Sequence, residues 1–217
     1  MRRYYLLRWL FFMTGLVLLA LGITLTIKGQ RLGIGPWDVF HVGLFQKNGL
    51  TVGMWSIIIG VLIIGTTVII TKKLPRIGTL LNMLLLGIFI DIFNFFIPEP
   101  STWPGVISIF LLGVVAVGYG TGVYVSANLG AGPRDSIMML IVEKTGWNIC
   151  MVRRGIELVV LAIGFSLGGP VGVGTLVTAL FVGSIIHVSL PQSKLILQRS
   201  MGHNNAQTVS YLESKRF

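Results

Sequence analysis

Six long apolar stretches, bordered by cations, leave this chain few ways to fold. They run approximately from Arg8 to Ile27, Val52 to Thr71, Ile77 to Ile97, Gly105 to Val125, Met151 to Leu167 and Gly172 to Leu190. Each is long enough to cross roughly 30 Å of hydrocarbon as a helix. Only 11% of the 217 residues are charged, whereas soluble domains average roughly 25%. That density cannot coat a globule of this size with water-compatible surface. A soluble enzyme, a disordered chain and a disulfide scaffold are excluded. The expected fold class is an all-α integral membrane protein.

The remaining segments refine this. Met1-Arg2-Arg3 before Tyr4 resembles a signal peptide, but the apolar run is too long and no small-x-small cleavage site follows, so a retained first span is expected. Two shorter stretches, about Pro36 to Lys47 and Pro133 to Thr145, are helical in pattern but too short to cross. They read as re-entrant or interfacial half-helices. The proline-dense break 98–104 divides a first half, 1–97, from a second, 105–190. A polar tail, 191–217, follows Pro191 and is expected to be exposed and cytoplasmic. Cys150 is the single cysteine, so no intrachain disulfide forms. The net charge of +10 would suggest nucleic acid in a soluble protein; here the cations flank apolar runs, as cytoplasmic loops beside anionic lipid do. The lipid bilayer, and no nucleic acid, is the expected partner.

The two halves repeat one another. Leu32-Gly33-Ile34-Gly35-Pro36-Trp37-Asp38 matches Leu129-Gly130-Ala131-Gly132-Pro133-Arg134-Asp135. Gly78-Thr79-Leu80 matches Gly174-Thr175-Leu176, Gly87 falls opposite Gly183, and Phe12, Gly15 and Gly22 fall opposite Phe110, Gly113 and Gly120. Such correspondence is the mark of an internal duplication. With six spans and an inside N-terminus, all but Lys28, Arg31 and Lys47 of the 17 Lys and Arg collect on the cytoplasmic side, the C-terminus included. Letting the short helices cross as well weakens that bias, so the positive-inside rule favours six spans. An odd number of spans per half then inverts the second half relative to the first, the arrangement of many transporters.

Each G-x-G-P-x-D segment places Pro where a first helical turn wants it and Asp within that turn. Gly35, Pro36 and Asp38, with Gly132, Pro133 and Asp135, are therefore candidate pathway residues, on half-helices dipping from opposite faces. The bland alternative is two interfacial helices whose aspartates cap their own backbone. Asp91 and His187 fall opposite one another in the repeat and are further candidates for binding a solute or proton, unless they merely reach headgroups at helix ends. Arg153, Arg154 and Glu157 open the fifth span as a charge cluster at an inner mouth, one ion pair forming and one cation left over; equally they mark the membrane edge. Gly60, Gly65, Gly118, Gly120 and Gly122 suit close helix packing and are weakly indicative of a homodimer. Trp9, Trp37, Trp55, Trp103 and Trp147 read as interfacial anchors. No zinc-spaced Cys/His cluster or phosphate-binding loop is present, so no catalytic residue, metal or cofactor is expected.

The motifs L-G-x-G-P-W-D and L-G-A-G-P-R-D-S resemble those of the YczE/YyaS/YitT group of bacterial multi-pass membrane proteins. The resemblance covers the chain apart from its polar tail. Without the soluble C-terminal domain of YitT-type members, it is similar to the short YczE-like form. This implies the bacterial inner membrane and supplies no catalytic residues. The expected function is a small-solute transporter or exporter, proton- or cation-coupled in one version. The alternatives are a passive channel and a membrane-embedded accessory or assembly factor without a pathway.

Overall fold

A computed structural model describes residues 2–201; the part of the expected polar tail from Gly202 onward lies outside the described residues. Among the described residues the chain is all helical, with eight α-helices: α1 (Arg2–Lys28), α2 (Pro36–Asn48), α3 (Val52–Thr71), α4 (Ile77–Phe96), α5 (Trp103–Ser126), α6 (Pro133–Thr145), α7 (Ile149–Ser166) and α8 (Val173–Met201). Five of these, α1, α3, α4, α5 and α8, are long and apolar enough to cross a membrane. Helix α7 is long enough for a short span, but its 18 residues include Arg153, Arg154 and Glu157.

The short helices start and stop where the sequence says they should. Both begin at a Gly-Pro step, with Pro in the first turn, and both end at a glycine, Gly49 (φ 72°) and Gly146 (φ 70°). Those glycines adopt a backbone that other residues enter at a cost, and their N–H groups close the last turn on Phe45 and Val142. The C-terminal end differs from expectation. Helix α8 does not stop at Pro191 but carries it inside and continues to Met201. Ser193 and Leu197 beyond it are buried, so packing outweighs the hydrogen bond the proline removes.

Helices α1 and α5 form the central pair, and small residues set their separation. A Cβ added at Gly22 would lie 2.5 Å from the Val117 nitrogen and one at Gly113 would lie 2.7 Å from the Thr26 nitrogen. One at Gly15 would strike Tyr124, and one at Gly120 would strike Leu19. These contacts descend along one helix as they ascend along the other, so the two helices are antiparallel. They are also reciprocal. Gly15 and Gly113 are sequence counterparts, as are Gly22 and Gly120, and their contacts Tyr124 and Thr26, or Val117 and Leu19, stand at matching registers. Arg8 fastens one end of the pair, donating from Nε and Nη2 to the carbonyls of Ala127 and Asn128, each at 2.6 Å. A basic group on the last carbonyls of a helix is favourable.

Candidate functional site

Three of the longer helices begin under a side-chain cap: Thr51 accepts from the Met54 N–H, Thr102 from Gly105 and Asn148 from Cys150. The short helices α2 and α6 begin at glycines, which have no side chain to offer. Their first turns instead border a cavity of about 420 Å³ between the two halves of the chain. Uncapped helix starts present N–H groups and the positive end of the helix dipole to whatever fills such a space.

The two motifs meet in that cavity. Arg134, in the first turn of α6, reaches the first turn of α2, where its Nη2 lies 3.8 Å from Asp38 Oδ1. Its guanidinium also stacks over the Trp37 ring, 4.9 Å from the centroid, within the range of a cation–π contact. Trp37 and Arg134 occupy the same position of the two G-x-G-P-x-D motifs, one an aromatic face and the other the cation seated on it. The 3.8 Å separation is too long for a hydrogen bond. Asp38 Oδ1 and Arg134 Nη2 are both buried without a hydrogen-bond partner among the described residues, as is Asn82 Nδ2.

The second motif aspartate is engaged differently. Tyr124 donates its hydroxyl to Asp135 Oδ2 at 3.3 Å. Neither motif aspartate accepts a hydrogen bond from the first turn of its own helix among the described residues, which is what simple capping would require. His41, one turn into α2, is buried beside the rings of Trp37 and Phe40 and also lines the cavity. On the α7 side Arg153 donates from Nε to Glu157 Oε1 at 3.0 Å, and Arg154 lines the same cavity unpaired with Glu157. Both arginines and Cys150 are exposed, so the cavity grades from a buried centre to an exposed edge along α7.

Of the residues expected from sequence, Gly35, Pro36, Asp38, Gly132, Pro133, Asp135, Arg153, Arg154 and Glu157 all line this one cavity. Asp91 and His187 do not. His187 is exposed, and Asp91 accepts from the Gly53 N–H at 2.8 Å and from the Thr51 hydroxyl, tying the end of α4 to the start of α3. An Asn at this position still offers one acceptor, so Asp91→Asn is expected to be mild. Asp91→Ala is expected to cost about 1 kcal/mol, a fall of roughly 2–4 °C in the melting midpoint of detergent-solubilised protein.

Sequence reasoning missed several members. Trp37, expected as an interfacial anchor, lines the cavity, where the Arg134 guanidinium stacks on its ring. Arg134 was counted only as a cation marking the cytoplasmic side. Asn82 and Tyr124 passed unremarked, although an Asn set among apolar residues, opposite Thr178 in the repeat, was a readable signal.

The chain is 56% identical to the uncharacterized membrane protein YczE of Bacillus subtilis, over 95% of this chain and 96% of that protein. It is 32% identical to YyaS of the same organism, over 85% of this chain and 92% of that one. An uncharacterized protein of Haemophilus influenzae is 33% identical over 73% of this chain and 72% of its own length. No solved structure matches. The family model described as a family of unknown function, DUF6198, matches residues 6–191, and the chain is a membrane protein belonging to that family.

Proposed function

We propose that the chain is a small-solute transporter of the inner membrane, built of two inverted three-span repeats that alternate access to the cavity between them. In this reading α7 is the remaining span, both termini are cytoplasmic, and α2 and α6 are re-entrant from opposite faces. The antiparallel, reciprocal packing of α1 on α5 supports the inversion. Arg153 and Arg154 at the exposed edge of the cavity support a cytoplasmic opening.

The observation that carries the proposal is that two repeat-related seams differ. Helices α3 and α4 are zipped: a Cβ added at Gly87 would lie 2.6 Å from the Gly53 carbonyl and 2.5 Å from Ile57 Cγ1. The hydrogen bonds of Asp91 to Thr51 and Gly53 latch the same seam. The corresponding helices α7 and α8 make almost no contact. Gly183, the counterpart of Gly87, has nothing within 4 Å of where a Cβ would stand. Equivalent sequences held in two arrangements are what alternating access exchanges. A passive channel would leave both seams open at once, and an accessory factor has no need of buried, unpartnered polar groups.

The test is disulfide cross-linking in native membranes, in a Cys150→Ser background. Thr51→Cys with Asp91→Cys, whose side chains touch across it, reports the zipped seam, and Asn148→Cys with His187→Cys reports its counterpart. Both pairs are expected to link under mild oxidation, the second because the opposite state is visited. A protein in which only the first pair ever links is static, and the transport reading falls with it.

A further inference from the structure

Resting on that transport reading, we propose that the centre of the cavity binds a small zwitterion of the α-amino-acid type. Its carboxylate would sit on Arg134 and Asn82 and its ammonium on Asp38. Buried polar groups without hydrogen-bond partners are uncommon in folded proteins, and here three stand in one cavity, two of them, on Asp38 and Arg134, facing each other as an ion pair too long for a hydrogen bond. Asn82 is the firmest of them: it is 3% exposed, and its amide nitrogen is a donor with nothing to donate to among the described residues.

Together the three describe their complement. Arg134 Nη2 and Asn82 Nδ2 are donors, so they ask for an acceptor; Asp38 Oδ1 asks for a donor. Arg134 and Asp38 also carry opposite charges. A simple anion would satisfy the arginine but face the aspartate, and a simple cation would do the reverse. A zwitterion answers both and brings no net charge into the low-dielectric interior, where an unmatched charge is most costly. The spacing narrows the class further. The oxygen and nitrogen form an ion pair with no hydrogen bond, 3.8 Å apart, so a ligand that hydrogen-bonds both carries neighbouring charges, as on an α-amino acid. The uncapped starts of α2 and α6 add positive dipole ends on the same cavity, as in other carriers of carboxylates. Asp135 does not compete for the ammonium on equal terms, since Tyr124 occupies one of its oxygens. The cavity exceeds what a zwitterionic head needs, and Ile23, Met83, Leu86 and Val117 give its wall an apolar surface for a side chain.

The experiment uses the full chain in detergent micelles, with thermal melting and equilibrium dialysis as readouts. The probes are glycine, L-alanine and L-leucine, against acetate, methylammonium and 6-aminohexanoate, whose charges lie far apart. At least one α-amino acid is expected to raise the melting midpoint by roughly 5–10 °C at a hundredfold excess over its Kd, and the other three probes to leave it unmoved. Asp38→Asn and Arg134→Lys are each expected to weaken dialysis binding at least about tenfold. Asn82→Ser tests the same site should either charged variant fail to fold. No shift with any α-amino acid overturns the proposal, as does an equal shift with acetate or 6-aminohexanoate. It is overturned equally by a folded Asp38→Asn protein that binds like the wild type. In any of those cases, linking of both cysteine pairs leaves the transport reading intact with a different solute.

Discussion

Gly22→Val and Gly120→Val, made singly, are expected to be among the most destabilising single substitutions in this chain. At either position a side chain would be driven into the backbone of the facing helix, that of Val117 or that of Leu19. Backbone cannot rotate aside as a flexible side chain can. The cost belongs at the upper end of overpacking, about 3 kcal/mol, or a fall of roughly 6–12 °C in the melting midpoint. Gly65→Val is the control, because a Cβ there meets nothing within 4 Å. Heating detergent-solubilised samples and following the monodisperse fraction checks all three. Near-wild-type midpoints for both α1/α5 variants would mean that the central pair is not held as described.

Neutralising the motif aspartates is expected to act in the opposite way, leaving the fold and removing the function. Asp135→Asn keeps an oxygen for the Tyr124 hydroxyl. Asp38→Asn removes a carboxylate that makes no hydrogen bond through Oδ1 in any case. For Asp135→Asn stability should therefore move by about 1 kcal/mol or less, the scale of a lost charge–dipole interaction; Asp38→Asn also takes from the Arg134 guanidinium its ion-pair partner and should cost more, up to about 3 kcal/mol. Expression should be close to wild type for both, and melting for Asp135→Asn. Neither variant should restore whatever phenotype a chromosomal deletion of this gene produces, and neither should support solute uptake into proteoliposomes. Should both variants complement fully, the carboxylates are packing groups and the transport reading loses its central residues.

The asymmetry between these two predictions follows from what the sequence made legible. Apolar length and the Gly-Pro steps placed α2 and α6 almost to the residue, because helix starts are set locally by proline geometry and by the absence of a Cβ at the cap. The glycines of α1 and α5 were visible as matched pairs, but not as partners in one interface, since nothing local says which helix a small face will meet. The site itself was half legible. Asp38 and Asp135 stand in a repeated motif, whereas Arg134 was hidden by its charge. Counting cations by side gives each a place at a membrane surface and says nothing of which one faces a cavity, as Arg134 does. Asn82, Tyr124 and His41 owe their roles to helix crossings, which determine the direction a lone polar side chain faces. Asp91 stood out as an acid in an apolar span, yet its neighbours Thr51 and Gly53 account for both of its oxygens.

The reciprocity of the α1/α5 contact has a consequence for how such a molecule could arise and be built. Gly15 meets Tyr124 as Gly113 meets Thr26, and Gly22 meets Val117 as Gly120 meets Leu19. An interface with that property requires no division of labour between its sides; one half-length polypeptide, inserted into the bilayer in both directions, would supply both. Fusing two such copies gains something the dual-topology pair lacks. Once each half has its own codons, one copy of a position can become tryptophan and the other arginine, and the site acquires a direction that a symmetric dimer could not encode.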